Sequence, residues 1–566
     1  MTTAADDLIF GLTRLVDLPG LTNAAGAPLS ADDIAQIVNE ANRFCTEALQ
    51  PKAQEADKQG ARYANGTVTT PAHYPALYDQ WREGGWQGLA APAEHGGQGL
   101  PLSLWTAMVE LGMAADTSFM LGPLLSAGAI DLLRHYATPD QAARWLPPMI
   151  AGEWTGAMCL TEPQAGSDLG VLRTRAEPLG NGRYALHGQK IFITWGEHDC
   201  AGNILHLVLA RLPDAPPGSR GISLFAAPKI LPDGARNAFR CGGIERKMGI
   251  HGSPTCIMMY EGAEAEMVGE PHRGLQAMFA MMNNARLGVG TQGVAHGAAA
   301  LRLAEAYAAQ RVQGGRSIAE HPDVARMLME MRACTLASRL IMLEAAVAAD
   351  KAELLGDAAA SARLALLIPV LKAWATDRGV ETASIGVQVH GGMGYVEETG
   401  AAQFFRDARI AAIYEGTNGI QAIDLVTRKL PLSGGDTVRA AIAGIRETVA
   451  EVKRRNDPAF GKIGERLAEA ADSLERATDF MLAQLGSNME AALAGATPYL
   501  KLFALAEGGA ALAREALAAS DTVAAEKIAV ARFYAKHDVN EAAALAREVI
   551  EGSESIPPAE IVFGAA

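Results

Sequence analysis

The chain has 566 residues, which is too long for a single hydrophobic core and therefore predicts several domains. A hydrophobic content of 49% and a charged content of 20% are typical of a globular enzyme, and the net charge of −15 argues against nucleic acid or an acidic membrane surface as a main partner. The six cysteines form no Cys-x-x-Cys pair, and we find no basic, apolar leader and no long uncharged apolar run. We therefore expect free thiols, no metal site, no spanning helix and a cytoplasmic location.

The first predicted domain, residues 1–154, is helical. Ser30 followed by Asp32 and Asp33 is typical of a helix start, because a serine side chain caps the first turn and acids favour its positive end. Helical patterns then continue to about Ile150, interrupted by glycine-rich corners such as residues 94–101. We interpret this region as an N-terminal α-helical domain.

Residues 155–271 have the pattern of a β domain. Short runs rich in β-branched and aromatic residues are separated by glycine, proline and aspartate, as in residues 184–194, 204–210, 221–226 and 255–260. This spacing predicts an antiparallel, barrel-like sheet of about six to eight strands.

The rest of the chain is again helical. Residues 272–431 predict a C-terminal helix bundle, in which Pro322 with Asp323 marks a helix start. Residues 432–566 predict a separate helical domain, because a Ser-Gly-Gly linker precedes an apolar stripe from Val438 to Val452. The expected fold class is therefore α+β and multidomain: helical domain, β domain, helix bundle and helical extension.

One carboxylate in residues 412–430 lies at a predicted sharp corner. An apolar run ends at Tyr414, then come Glu415 and Gly416, and Thr417 or Asn418 could cap the helix that follows. Glu415 could act there as a catalytic base, or it could simply complement the helix dipole. Spacing alone favours the second interpretation, because most acids at helix starts do only that.

Two glycine-rich loops could approach a ligand. Residues 158–168 offer the hydroxyls of Thr161 and Ser167 and the backbone around Gly166, which could bind a phosphate or the polar edge of a flat ring. Residues 388–392 form a second such turn, which could equally end a helix. The sequence has no phosphate loop, no His-Glu-x-x-His pair, no nucleophile elbow and no Rossmann fingerprint after a strand.

Together these segments resemble the acyl-CoA dehydrogenase family. Residues 161–168, 388–395 and 404–417 are similar to three family motifs in the family's order: Thr-Glu-Pro-Gln-Ala-Gly-Ser-Asp, Gln-Val-His-Gly-Gly-Met-Gly-Tyr and Phe-Phe-Arg-Asp-Ala-Arg-Ile-Ala-Ala-Ile-Tyr-Glu-Gly-Thr. The resemblance covers about residues 35–430 and reverses the interpretation of Glu415. The extension resembles that of larger bacterial members, and several short segments are similar to the branch that acts on 3-(methylthio)propanoyl-CoA.

The resemblance implies an FAD-dependent enzyme that converts an acyl-CoA thioester to a trans-2-enoyl-CoA. Glu415 would remove the α-proton, and electrons would pass to an electron-transfer flavoprotein. The substrate would be 3-(methylthio)propanoyl-CoA or a short- or medium-chain acyl-CoA, and the protein would be a homodimer or homotetramer. An acyl-CoA oxidase and a non-catalytic flavin- or acyl-CoA-binding scaffold are the alternatives. The alanine-rich faces of the extension favour protein packing over membrane association.

The resemblance also implies a set of ligand-binding residues. Those expected to bind FAD are Met158, Leu160, Thr161, Gly166, Ser167, Phe192, Ile193, Thr194, Arg311, Gln388, Gly391, Gly392 and Thr417. Of these, Arg311, Gln388, Gly391 and Gly392 would contact the FAD of the neighbouring subunit. Ser167, Asn283 and Arg286 would border the acyl-CoA.

The chain departs from the family pattern at a few of the matched positions. Phe192 stands where tryptophan is common, Gly314 where phenylalanine is usual and Pro322 where glutamine is usual. His251 replaces a common arginine, and Asn283 replaces a common acid. Some relatives place the base at the position of Ala285. Alanine cannot accept a proton, so Glu415 has no rival there.

Overall fold

The computed structural model describes residues 2–557 and 561. The chain divides into two compact units, which we describe separately. The β unit comprises residues 40–288, and the helical unit comprises residues 2–39 with residues 289–557.

The helices and strands of the described residues are linked by short turns and loops. The α-helices are α1 (Ala4–Phe10), α2 (Leu18–Ala24), α3 (Ala31–Phe44), α4 (Ala53–Gln59), α5 (Tyr74–Glu83), α6 (Leu102–Tyr136), α7 (Pro139–Ile150), α8 (Gly274–Gln310), α9 (Pro322–Leu355), α10 (Ala358–His390), α11 (Ala401–Ala408), α12 (Asn418–Asp424), α13 (Asp436–Arg455), α14 (Ile463–Ser487), α15 (Met489–Ala494), α16 (Ala496–Ala518), α17 (Asp521–His537) and α18 (Ala542–Glu551). The strands are β1 (Arg62–Ala64), β2 (Thr67–Thr69), β3 (Trp154–Cys159), β4 (Arg175–Gly180), β5 (Arg183–Thr194), β6 (Asn203–Arg211), β7 (Ile222–Pro228), β8 (Phe239–Ile244), β9 (Thr255–Val268), β10 (Val312–Gln313) and β11 (Arg316–Ser317).

Two helix starts that the sequence predicts are present. At the start of α3 the N–H of Asp33 donates to Ser30 Oγ at 3.1 Å, and the N–H of Ser30 donates back to the Asp33 carboxylate at 2.8 Å. At the start of α9 Pro322 occupies the first turn, where the missing N–H costs nothing.

The region predicted to be all helical also contains a small hairpin. Strands β1 and β2 pair antiparallel around Asn65 and Gly66, whose φ angles are 51° and 84°. Two consecutive residues with positive φ form a type I′ turn, which matches the twist of the strands it joins. The Asn-Gly pair is therefore the local cause of an element that the helical interpretation overlooked.

Within the described part of the β unit, seven strands form one sheet. The order is β3-β6-β4-β5-β9-β7, with β8 against β9, and a β6–β7 pairing joins the path back onto itself. The barrel-like arrangement is therefore present, but the sheet is mixed, because β3 pairs in parallel with β6. A parallel pair needs a crossover, and the β4–β5 hairpin lies between these two strands in the chain.

Alternation along β6 divides the core of the β unit into two layers. Leu205, Leu207 and Leu209 face α6 and α7, whereas Ile204 and Val208 face the interior of the barrel. Successive side chains of a strand point to opposite faces, so a strand that is apolar throughout is buried on both sides.

The helical unit joins the N-terminal segment, the bundle and the extension. Helix α16 packs against α9, α10 and α12. Buried ion pairs reinforce this packing: Lys527 of α17 lies 2.6 Å from the carboxylate of Asp7, which also pairs with Arg339 of α9 at 3.1 Å. Residues 432–557 therefore lie in one compact unit with the bundle and with residues 2–39.

Helix α10 is a long helix that is largely apolar. By length and composition alone the segment that begins with it, residues 358–395, could cross a membrane. However, 61% of its most apolar window is buried inside the protein, as expected for a core helix. The cysteines are free thiols, and all except Cys200 are buried.

Candidate active site

Glu415 lies at a sharp corner of the helical unit, between a 3₁₀ turn (Arg409–Ala412) and α12. Its φ is 58°, and that of Gly416 is 86°. A left-handed backbone costs a residue with a side chain roughly 1–2 kcal/mol, so this corner must be held by its surroundings. Thr417 supplies the helix cap, because its hydroxyl accepts a hydrogen bond from the N–H of Ile420 at 3.2 Å.

Two buried side chains hold the carbonyl groups of this corner. Gln421 Nε2 donates to the carbonyl oxygen of Glu415 at 3.0 Å. Lys372 Nζ, on α10, donates to the carbonyl oxygen of Gly416 at 2.7 Å and to Oδ1 of Asn418 at 2.9 Å. Both Lys372 and Gln421 are 0% exposed, so the corner is tied to the centre of the helical unit.

Tyr414, the residue before Glu415, is held in its neutral form. Burial, with the nearby charge of Glu415, raises the pKa of Tyr414 well above its usual value. Its neutral hydroxyl donates to Oε1 of Gln292 on α8. Glu415 itself is half-buried. The carboxylate therefore lies beside an uncharged phenol, on a backbone that several hydrogen bonds hold.

In the β unit, residues 160–168 form a tight loop after β3. The backbones of Glu162 and Ala165 exchange two hydrogen bonds of 3.0 Å. Gly166 and Ser167, at the end of this turn, are exposed, and a Cβ built on Gly166 would meet nothing within 4 Å. The loop therefore presents backbone to solvent, as a ligand-binding turn requires.

A buried ion pair between Lys190 and Glu162 stabilises this loop. Lys190 Nζ lies 2.8 Å from Glu162 Oε1 and also donates to the carbonyl oxygen of Leu160 at 2.8 Å. The Glu162 carboxylate accepts the N–H groups of Arg173 at 2.7 Å and Thr174 at 3.0 Å. Burial alone would raise the pKa of Glu162, but the ammonium and these hydrogen bonds lower it to about 2. The Glu162 carboxylate is therefore ionised at neutral pH.

The same pair brings the loop beside residues 192–194. The N–H of Ile191 donates to the carbonyl oxygen of Thr161 at 2.9 Å. A register shift between Lys190 and Ile193 leaves Phe192 with a φ of 59° and 58% exposed. An aromatic side chain held outside the sheet in this way could cover a flat ring.

Two of the predicted FAD-binding residues face the core. Leu160 belongs to the layer against the helices, and Ile193 belongs to the interior of the barrel. Their side chains are therefore used in packing, so any contact with a ligand would come from their backbone. Met158 is partly buried against the same layer as Leu160, and Thr194 is half-buried.

The predicted neighbour-facing residues form a separate cluster in the helical unit. The rings of Tyr307 and His390 stack at 4.4 Å, which joins the end of α8, just before Arg311, to the turn after α10. Arg311 and Gln388 are exposed, and a Cβ built on either glycine of the turn, Gly391 or Gly392, would meet nothing. Gln388 lies about 24 Å along α10 from Lys372, at about 1.5 Å per residue. This cluster is therefore remote from the Glu415 corner.

The departures from the family pattern have local structural causes. Gly314 and Gly315, with φ angles of 61° and 80°, form the two-residue turn between β10 and β11. In the β unit, His251 Nδ1 lies 2.9 Å from the Asp57 carboxylate. Gly314 and His251 therefore each have a local structural role in this chain: one in a turn, the other in a contact with Asp57.

The predicted acyl-CoA residues on α8 differ in exposure. Asn283 is exposed, whereas Arg286 is only 6% exposed, with its guanidinium 6.0 Å from the ring centre of Phe279. Ala285 is buried. Asn283 could reach a ligand directly, and Arg286 presents a nearly buried charge.

The large cavity of the helical unit does not coincide with these residues. It has a volume of about 1010 Å³ and is lined mainly by α9, α10, α13 and α16. Arg363 and Arg514 in its wall are paired with Glu344 and Glu507. No predicted site residue within the described chain lines this cavity.

Sequence reasoning missed Lys190, Lys372 and Gln421. The available signal was a lone lysine in an apolar run, as in residues 366–375, where Lys372 stands among leucine, valine, alanine and tryptophan. A lysine in such a run is buried only if it finds oxygen partners.

Four family models match consecutive segments of the chain. These are the acyl-CoA dehydrogenase N-terminal domain at residues 31–153, the middle domain at 157–263, the C-terminal domain at 272–430, and an acetyl-CoA dehydrogenase C-terminal-like model at 441–557. The chain is also 42% identical to the 3-methylmercaptopropionyl-CoA dehydrogenase of Ruegeria pomeroyi, over 98% of this chain and 99% of that protein.

Solved structures agree in fold. Caenorhabditis elegans ACDH-11 in complex with C11-CoA matches with a TM-score of 0.79 at 22% identity, over 94% of each chain. An acyl-CoA dehydrogenase complexed with FAD from Bacillus anthracis matches with a TM-score of 0.76 at 20% identity, over 94% of this chain and 90% of that one.

Proposed function

The chain belongs to the acyl-CoA dehydrogenase family and is an FAD-dependent oxidoreductase, and from this premise we propose that Glu415 is its catalytic base. The observation that carries the proposal is the strained corner at Glu415 and Gly416, which buried side chains hold in place. The α-proton of a thioester is weakly acidic, so a carboxylate must be held within reach of it.

Each unit, taken by itself, contains residues whose chemistry fits an FAD cofactor. In the β unit the exposed backbone at Gly166 and Ser167 and the exposed ring of Phe192 suit a phosphate-bearing, flat cofactor, together with Met158, Thr161 and Thr194. In the helical unit Thr417 would contribute its hydroxyl. When bound, FAD supplies the acceptor for the hydride that leaves the β-carbon. Glu415 takes the α-proton, and Tyr414, held neutral, brings no competing charge to the carboxylate.

The substrate that we propose is 3-(methylthio)propanoyl-CoA. The support is the relative with that activity, which is 42% identical over nearly the whole chain. Short- and medium-chain acyl-CoAs are the second candidates, because a pocket distinguishes one methylene by only about 1–3 kcal/mol. Asn283, Arg286 and Ser167 are the residues that we expect to border the thioester.

We further propose a homodimer in the cytoplasm, with an electron-transfer flavoprotein as electron acceptor. The cluster of Arg311, Gln388, Gly391 and Gly392 is exposed and lies about 24 Å along α10 from the residue that holds the Glu415 corner. A cluster so remote from the base suits contact with the cofactor of a second copy. The buried free thiols suit a reducing compartment.

Anaerobic rapid mixing with a panel of acyl-CoAs tests this proposal. The methylthio compound, butanoyl-CoA and octanoyl-CoA are each mixed with the enzyme while the flavin absorbance is followed. We expect the methylthio compound to reduce the flavin fastest. Peroxide formed rapidly during turnover in air would support an oxidase instead, and purification without flavin with no turnover after FAD addition would support the scaffold.

The Glu415→Gln variant tests the base itself. Removing a general base lowers a rate by about 10²–10⁴-fold, so we expect flavin reduction to slow by that factor. Glu490→Gln, at an exposed glutamate of the extension, is the matched control and should reduce normally. Reduction of Glu415→Gln at the wild-type rate would exclude Glu415 as the base.

A further inference from the structure

Lys372 is a buried cation beside the corner that carries Glu415. Its side chain is 0% exposed, and its ammonium donates to the carbonyl oxygen of Gly416 and to the side-chain oxygen of Asn418. An ammonium taken out of water costs several kcal/mol unless other groups replace its hydration. A lysine in the middle of an apolar helix therefore needs a reason to remain there.

The oxygens that Lys372 meets belong to the corner itself. Gly416 follows Glu415 directly, and Asn418 begins α12. The Asn418 amide in turn donates to Asp377 Oδ1 at 2.7 Å and to the carbonyl oxygen of Ala373 at 3.1 Å, both on α10. The corner is thus attached to α10 through Lys372 and Asn418 together.

The attachment bears on proton abstraction because the backbone conformation of the corner sets the orientation of the Glu415 side chain. The φ of 58° strains Glu415, whereas Gly416 adopts its φ of 86° without steric cost, and other backbone conformations at Glu415 would relieve the strain. A change of φ at Glu415 or Gly416 swings the Glu415 side chain as well as its N–H. An interaction that fixes the Gly416 carbonyl therefore also fixes the aim of the carboxylate.

We propose that Lys372 is a positioning residue for proton abstraction: its buried ammonium locks the left-handed corner so that the Glu415 carboxylate points at the α-carbon. This proposal rests on the proposed role of Glu415 as the base. Lys372 itself takes no proton from the substrate. Gln421, which holds the carbonyl of Glu415, acts in the same direction through one neutral hydrogen bond.

The test isolates proton transfer from hydride transfer. An acyl-CoA analogue with sulfur in place of the β-carbon has α-protons but no β-hydrogen, so it can exchange protons without being oxidised. The flavin-loaded enzyme is incubated with this analogue in D₂O, and α-proton exchange is followed by NMR. The dissociation constant of the analogue is measured in parallel by titration.

The Lys372→Met variant keeps the length of the side chain and removes its donors. A misplacement of about 1 Å can cost about 10²-fold in rate, so we expect exchange to slow by about that factor with the dissociation constant changed less than about threefold. Lys527→Met is the matched control, because Lys527 is also a buried lysine of the helical unit but pairs with Asp7 and Glu515. It should exchange at the wild-type rate.

The outcomes separate the two proposals. Wild-type exchange by Lys372→Met, with Glu415→Gln inactive, would overturn the positioning role and leave the base intact. Normal exchange by Glu415→Gln would overturn the base, whatever Lys372→Met does. Slow exchange in both single variants, with no further slowing when Lys372→Met is added to Glu415→Gln, supports both the positioning role of Lys372 and the role of Glu415 as the base. If Lys372→Met does not fold, Gln421→Leu provides the same test with an expected loss of about tenfold, and wild-type exchange there would contradict the proposal.

Discussion

Two fully buried lysines hold the two loops that the family resemblance marks as functional, and they do so with different partners. In the β unit the ammonium of Lys190 meets a carboxylate, Glu162, and a carbonyl oxygen. In the helical unit the ammonium of Lys372 meets a carbonyl oxygen and an amide oxygen. Both side chains are 0% exposed.

The two lysines are therefore expected to have different roles: Lys190 in the stability of the fold, and Lys372 in the orientation of the Glu415 carboxylate. The Glu162–Lys190 pair neutralises two buried charges, so losing one partner leaves the other charge exposed to a low dielectric. Lys372 donates to two oxygens of a strained corner, so its loss frees a backbone conformation. We therefore expect Lys190 to matter more for folding and Lys372 more for the rate of proton abstraction.

The largest expected effect is on stability. Lys190→Met leaves Glu162 buried without its ammonium and should lower the free energy of unfolding by about 3–5 kcal/mol. Lys372→Met leaves hydrogen-bond acceptors unsatisfied and should cost about 1–3 kcal/mol. Denaturant titrations of both variants measure the two losses. Equal losses would remove the distinction, and the double variant Lys190→Met with Glu162→Gln should recover part of the first.

A smaller effect should appear on lowering the pH. The pKa of Glu162 is held at about 2 instead of its ordinary 4.5. The folded state therefore binds fewer protons than the unfolded chain between these values, and the contribution of Glu162 is complete above about pH 4.5 and is lost as the pH falls toward 2. At 1.36 kcal/mol per unit the full contribution is about 3 kcal/mol. The difference in unfolding free energy between the wild type and Glu162→Gln should shrink over this range, and a constant difference would contradict the assignment.

The smallest effect concerns the cap of α12. Thr417→Ala removes the hydrogen bond from the N–H of Ile420 and should cost about 0.5–2 kcal/mol of stability. It leaves the contact between Lys372 and Gly416 intact, so α-proton exchange should slow less than in Lys372→Met. Thr417→Ser, which keeps the hydroxyl, is the control for both measurements. A larger loss of exchange in Thr417→Ala than in Lys372→Met would show that the cap, and not the lysine, sets the aim of the base.

Much of the fold could be predicted because it depends on local chemistry. Ser30 with Asp33 and Pro322 mark helix starts by side-chain geometry alone, and the strands of the β domain follow from their composition. The parallel pairing of β3 with β6 was not predictable in this way, because strand partners are chosen by packing between distant segments. The β1–β2 hairpin was predictable from Asn65 and Gly66 and was overlooked within a helical pattern.

The candidate site was likewise predictable only in part. In the sequence, Gly416 indicates a turn and Thr417 indicates a helix cap, and the structure places Glu415 at that turn. The residues that hold the corner and the loop at residues 160–168 were not predicted, because some of their acceptors are backbone oxygens far along the chain. Lys372 and Gly416 are 44 positions apart, and Lys190 and Leu160 are 30 apart. A backbone carbonyl has the same chemistry in every residue, so the sequence does not indicate which one a buried lysine will meet.

A structure of the enzyme with FAD and the β-thia acyl-CoA analogue bound tests the central claim most directly. A base in position to react lies about 3–3.5 Å from the atom that it attacks. The account predicts a Glu415 carboxylate oxygen at that distance from the α-carbon, with the Lys372 ammonium still on the Gly416 carbonyl. A Glu415 side chain directed into solvent, with another group beside the α-carbon, would contradict it.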